Sequence, residues 1–164
     1  MIAVIAAYAK NRVIGNKGRI PWDIPDDRRR FREITTGSVV VMGRKTYEEI
    51  GRPLPDRICV VISSNPEYKA EGCLTAASLC AALKILKENE RYKKLDIYIC
   101  GGAQIYKESV NMADKLYLSV IDSEYEGDVY FPEYDAGQFE CVYSERVEGN
   151  NPYTFYELSR KKLS

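Results

Sequence analysis

The 164-residue chain contains no histidine and only one tryptophan. Without histidine there is no Ser-His-Asp or Cys-His pairing and no histidine metal ligand. Proton chemistry near neutral pH then falls to Asp, Glu, Lys, Tyr or Cys. The cysteines number five, an odd count, and form no C-x-x-C. That leaves a zinc site without support and points to reduced, mostly buried thiols in a cytoplasmic protein. There is no net charge, since 24 Lys plus Arg balance 24 Asp plus Glu. A general nucleic-acid or membrane-surface partner is not expected. No apolar run is long enough to cross a bilayer, and the start M-I-A-V-I-A-A-Y lacks the basic residues of a signal peptide. The dinucleotide fingerprint G-x-G-x-x-G and the P-loop G-x-x-x-x-G-K-[ST] are both missing. No repeat, linker or low-complexity tract divides the chain, so residues 1–164 are expected to form one domain.

What is present alternates between strands and helices. Ile2–Tyr8, Ser38–Met42 and Ile58–Ile62 read as strands buried on both faces. Asp96–Cys100 and Lys115–Ile121 are further strands, and Cys73–Thr75 a short one. Helices are expected from Pro25, over Arg44–Ile50, after Ser78, and from Ala103 to about Ser109. Asn11–Arg19 reads as a mobile loop, and Gly51–Asp56 as another. Phe139–Glu148 and Tyr153–Arg160 read as an antiparallel hairpin. The fold class is α/β: a single domain with a central, mostly parallel sheet, an antiparallel C-terminal edge hairpin and flanking helices.

The stretch I-P-W-D-I-P-D-D-R-R-R-F at Ile20–Phe31 is the most unusual. Pro21 and Pro25 stiffen it, and a helix starting near Pro25 puts Asp26 and Asp27 in its first turn. Phe31 lies four residues after Asp27, on the same helix face, while Asp26 is turned by about 100°. A carboxylate, an aromatic ring and Trp22 together suit a flat, nitrogen-bearing ring. Taken alone, such a pair is more often an acidic cap beside a core Phe, because such caps are common. Trp22 between two prolines is a poor core anchor. The Arg28-Arg29-Arg30 run reads as a solvated helix face. In sheets of this kind ligands bind beyond the carboxyl ends of strands. M-G-R-K-T and C-G-G-A-Q each run there from a strand into a helix, where glycines and free N–H groups suit phosphate. Two such junctions, with Arg44, Lys45, Thr46 and Ser64 nearby, point to a dinucleotide carrying an extra phosphate.

The segments I-A-A-Y-A-K-N-R-V-I-G, P-W-D-I-P-D-D-R-R-R-F, V-V-M-G-R-K-T-Y-E-E-I-G-R-P-L-P-D-R, I-C-G-G-A-Q-I-Y, L-Y-L-S-V-I-D and E-G-D-V-Y-F-P, in this order, resemble bacterial dihydrofolate reductases. The resemblance runs from Met1 into the last hairpin. It implies reduction of 7,8-dihydrofolate to tetrahydrofolate with NADPH, antifolate inhibitors as ligands, and a cytoplasmic monomer. It implies that Asp27 holds the pterin and promotes its protonation, that Trp22 holds a water nearby, and that Ser119 shares the Asp27 network. Ile5, Ala6, Phe31, Ile50 and Leu54 would line the substrate pocket, with Ile20, Arg28, Cys100 and Tyr106 also against it. Arg57 would bind the glutamate carboxylate, with Arg32 and Arg52 nearby. On the cofactor side stand Ala7, Ile14 and Tyr106 by the nicotinamide, and Gly101, Gly102, Ala103, Gln104 and Ile105 at the diphosphate. Gly43, Arg44, Lys45, Thr46, Ser63 and Ser64 stand at the other phosphate, and Gly15, Asn16, Gly18 and Arg19 in a closing loop. No metal is implied. Arg28 and Cys100 depart from the usual apolar residues, which puts folate affinity and inhibitor response in question. A pyrimidine reductase of the riboflavin pathway would share the glycine junctions without needing P-W-x-x-P-x-D or L-P-x-R. A non-catalytic nucleotide-binding module would need no buried acid.

Overall fold

The strand Ile2–Ala9 (β1) lies inside an eight-stranded sheet and organises the fold. The structure, a computed structural model, describes residues 1–162. After β1 come Val13–Gly15 (β2), the helix Pro25–Thr35 (α1), Val39–Gly43 (β3), the helix Arg44–Ile50 (α2) and Ile58–Ile62 (β4). Leu74–Ala76 (β5), the helix Leu79–Glu88 (α3), Ile97–Ile99 (β6) and the helix Ala103–Ser109 (α4) follow. The chain then forms Lys115–Ile121 (β7), Val129–Tyr130 (β8), Phe139–Val147 (β9) and Tyr153–Arg160 (β10). The sheet order is β5-β4-β3-β6-β1-β7-β10-β9. Pairings are parallel from β5 to β7, and β10 runs antiparallel to both β7 and β9.

Side chains alternate across the sheet, as the strand period requires. Val4, Ala6 and Tyr8 of β1 join a core that includes Leu79, Leu83 and Leu86 of α3 and Ile105 of α4. Ala3 and Ile5 join the opposite core, against which Trp22 and, from α1, Phe31 and Ile34 pack. Ser78 caps α3 by accepting the Ala81 N–H at 3.0 Å. Pro25 opens α1, where its missing N–H costs nothing. No helix among the described residues is long and apolar enough to cross a membrane.

The expected mobile loop at Asn11–Arg19 contains a strand. β2 pairs antiparallel with β8, and Val13 is fully buried. A side chain at Gly127 would lie 2.2 Å from Val13 Cγ1, so only glycine lets the two segments close. Such short strands carry too little alternation to be read from sequence. The remaining elements fall within a residue or two of expectation.

Candidate active site

Asp27 is set by the first turn of α1, whose N-terminus at Ile24 has no side-chain cap. Its Oδ1 accepts the Ser119 hydroxyl at 2.6 Å. Burial pushes the carboxyl above its usual range; the Ser119 hydrogen bond and the Arg30 charge act against that, and the Asp26 charge adds to it. Ser119 is buried on β7 beside its register partner Ala7 on β1. The acid therefore sits where α1 crosses the carboxyl ends of β1 and β7.

Around it the cleft is mostly apolar. Ile5, Ala6 and Ile24 are buried, and Trp22, Phe31, Leu54 and Cys100 are partly so. Trp22 packs against Tyr125, with ring centroids 5.3 Å apart. The Cys100 thiol donates to Tyr98 O at 3.4 Å, and burial keeps it protonated. Tyr106 donates its hydroxyl to Ile5 O at 2.9 Å, which ties α4 to β1; burial keeps the phenol neutral. Ile20 and Ile50 stay exposed, and the Ile20 N–H donates to Glu49 Oε1 at 3.0 Å. That bond ties the end of the first loop to α2.

Arg57 enters from the other end. Its Nε donates to Pro55 O at 2.8 Å and its NH1 to Thr35 Oγ1 at 3.2 Å. The guanidinium lies 5.9 Å from the Phe31 ring centroid, and burial works against its charge. Arg32 and Arg52 are exposed. Arg28 lies one residue after Asp27, at the solvent side of α1. Its side chain is 69 % exposed and pairs with Asp23 at 2.9 Å, because its place on α1 faces solvent. Arg30, read as part of a solvated face, is instead held between α1 and β10 over the Phe155 ring. Its spacing of three residues from Asp27 is the signal that would have found it.

The two glycine junctions meet, since β3 and β6 are neighbours. The Gly43 N–H donates to Gly101 O at 2.8 Å, and the Gly101–Gly102 peptide is cis. A side chain on Gly102 would sit 3.5 Å from Thr46 Oγ1, and one on Gly101 3.2 Å from the Tyr106 ring. α2 and α4 both start here without a side-chain cap. Arg44 bonds Glu48 at 2.8 Å and lies 4.3 Å from the Tyr68 ring centroid. Lys45 and Ser64 are exposed, and buried Ser63 accepts the Asn65 N–H at 3.2 Å. Gln104 leans on Glu108 at 3.3 Å, Ala103 is partly exposed, and the Ile105 side chain belongs to the core. Ile14, Gly15 and Asn16 are partly buried, whereas Gly18 and Arg19 are exposed in a turn closed by Asn16 N–H to Arg19 O at 2.7 Å. Uncapped N–H groups, tight glycine backbone and nearby cations fit a dinucleotide's phosphates. Among the described residues no group of three or more His, Cys, Asp or Glu could hold a metal ion.

A family model described as dihydrofolate reductase matches residues 1–161. The chain is 48% identical to "Dihydrofolate reductase type 3" of Salmonella typhimurium, with 99% of each chain covered. It is 40% identical to the dihydrofolate reductase of Bacillus subtilis, over 99% of this chain and 95% of that one. A solved dihydrofolate reductase from Enterococcus faecalis, complexed with NADP(H) and RAB-propyl, superposes with a TM-score of 0.90 at 34% identity. That match covers 99% of this chain and 97% of the other. A half-buried carboxylate at a strand-end cleft, paired glycine junctions and full-length similarity agree: the chain belongs to the dihydrofolate reductase family.

Proposed function

We propose that Asp27, supported by Ser119 and Trp22, positions and helps protonate the pterin in the reduction of 7,8-dihydrofolate to tetrahydrofolate, the NADPH-dependent reaction of the family. The observation that carries this is the half-buried Asp27 carboxyl fixed by Ser119 at 2.6 Å. When bound, NADPH supplies the hydride. Asp27 offers its free oxygen to the exocyclic amino group and ring nitrogen. Its raised pKa keeps a share of it protonated, so it supports proton delivery to the nitrogen beside the carbon that is reduced. The Ser119 hydroxyl stops the carboxyl from rotating. Trp22 shields the site beside Tyr125. Ile5, Ala6, Phe31, Ile50 and Leu54 exclude water from the rings, and Arg57 receives the substrate's α-carboxylate. The Gly43 and Gly101-Gly102 junctions take the cofactor's phosphates, with Arg44, Lys45 and Ser64 at its extra phosphate. The chain acts as one domain and as a monomer in the cytoplasm; of its five cysteines only Cys59 is buried, not most of them as expected from the sequence.

The test is a pH profile of kcat/KM for the unaltered protein, Asp27→Asn and Asp26→Asn. Asp27→Asn should lower kcat/KM near neutral pH by about 10²–10⁴-fold, the usual cost of a lost acid–base group. The loss should shrink in acid, where solvent protonates the substrate directly. Affinity for NADPH should hold. Full activity of Asp27→Asn across neutral pH, or a larger loss from Asp26→Asn, overturns the assignment.

A further inference from the structure

Asp27 and Arg30 lie one turn apart on α1 and so face the same neighbours. Asp27 takes the Ser119 hydroxyl, while the Arg30 guanidinium lies 4.3 Å from the Phe155 ring centroid. Ser119 and Phe155 are register partners on β7 and β10. Two helix residues thus grip two directly opposed strand residues, one through an anion and one through a cation. Arg30 also reaches Glu145 of β9 at 3.3 Å, with the Tyr153 hydroxyl beside it. Its buried Nε has no hydrogen-bond partner among the described residues. An unpartnered buried donor is unfavourable. Stacking on Phe155 holds the group there nonetheless, with a cation within the field of the acid.

We propose that Arg30 is a positioning residue for the reduction: its charge, steered by Phe155 and Glu145, sets the pH range over which Asp27 works. The inference rests on the reading of Asp27 as the carboxyl that serves the pterin. The groups facing Asp27 are Asp26 and Arg30 from α1, Ser119 from β7 and Tyr153 from β10; β1 presents uncharged Ala7 beside Ser119. Burial drives the carboxyl toward its neutral form. Arg30 is the cation among these groups that favours ionisation. It acts after burial and the Ser119 hydrogen bond, across a site only partly open to solvent. Glu145 competes for the same cation from the hairpin. Removing Arg30 and removing the Glu145 charge must therefore move Asp27 in opposite directions, which a merely structural contact would not do.

The experiment follows the Asp27 carboxyl by carbon-13 NMR in the full chain, beside the pH profile of kcat/KM for dihydrofolate. Arg30→Met should move the Asp27 titration and the activity inflection to higher pH. Glu145→Gln should move both to lower pH. Arg30→Lys keeps the charge and should restore most of the unaltered profile. Glu145 sits on an edge strand, so Glu145→Gln carries the test if Arg30→Met does not fold. Asp27→Asn separates the two readings. If Asp27→Asn keeps the inflection, the role of Asp27 falls. The Arg30 inference falls if Asp27→Asn loses the inflection while Arg30→Met and Glu145→Gln leave it in place. Shifts in the same direction for those two variants, or an Arg30→Lys profile moved as far as that of Arg30→Met, also overturn it.

Discussion

Arg57 uses Nε on Pro55 O and NH1 on Thr35 Oγ1, and forms no ion pair among the described residues. A guanidinium fixed in this way leaves an edge free, and the proposed pairing of that edge with a substrate carboxylate is one lysine cannot imitate. Arg57→Lys is expected to raise KM for dihydrofolate about tenfold, in line with one lost charge-assisted pair, while NADPH affinity holds. An unchanged KM, read from initial rates, would contradict it. Arg44 differs, because Glu48 already occupies it at 2.8 Å. Arg44→Ala should weaken the preference for NADPH over NADH, whereas Glu48→Gln should strengthen it by freeing the cation. The ratio of kcat/KM for the two cofactors checks both. Asp27 and Arg57 were legible in the sequence because proline, tryptophan and glycine surround them in fixed order. Arg30 was overlooked, because residue type does not say which side of α1 meets the hairpin. That depends on β9 and β10, more than a hundred residues downstream.

At the level of elements, α1 is fastened to the hairpin by Asp26, not only to β7 by Asp27. Tyr153 donates its hydroxyl to Asp26 Oδ2 at 2.5 Å, and Arg29 also pairs with Asp26. The Tyr153 bond first, and Arg29 second, hold the Asp26 carboxyl below its usual range. Its contribution to stability is present above the unfolded-state pKa and is lost as pH falls through the lower folded value. Tyr153 is pushed up to about 12, by burial first and then by Asp26. Its contribution is present below the unfolded tyrosine value and is lost as pH rises through the folded one. Tyr153→Phe should therefore cost about 1 kcal/mol near neutral pH. That figure is discounted because the Asp26 side chain is 39 % exposed. Urea denaturation should show the cost fading in acid. Asp26→Asn should lose stability without a matching loss in kcat/KM. The β2–β8 ribbon offers a second check. Gly127→Ala drives a methyl into Val13 and Gly15 O, so hydrogen exchange should quicken over residues 13–15 and 127–130. The ribbon escaped the sequence reading because its strands of three and two residues owe their order to a distant partner. The long strands carry their own apolar signal and did not.

Across the whole molecule, Phe131 joins segments far apart in the chain. It is 2 % exposed, stacks on Tyr8 at 4.9 Å and tilts against Tyr106 at 5.1 Å. Phe131→Ala should cost about 3–5 kcal/mol by opening a cavity between β1 and α4. The same variant should loosen Tyr106, so its effect on NADPH affinity, read by fluorescence titration, should exceed its effect on folate affinity. The parallel core was readable because buried strands are continuous apolar runs. The closing contacts were not, because they join positions such as 27 with 119 and 5 with 106. This separation bears on how the chain behaves during synthesis. Asp27 leaves the ribosome 92 residues before its hydroxyl partner. Until β7 inserts beside β1, the acid has no fixed direction and the cleft has no far wall. A ligand that needs both walls of the cleft would recognise the finished sheet and not its early half. By mass action such a ligand draws late-folding chains into the native state, by about 2.7 kcal/mol when its concentration is a hundred times its Kd. In a cell, an inhibitor of this protein would also act as its chaperone, raising the amount of the target that it blocks.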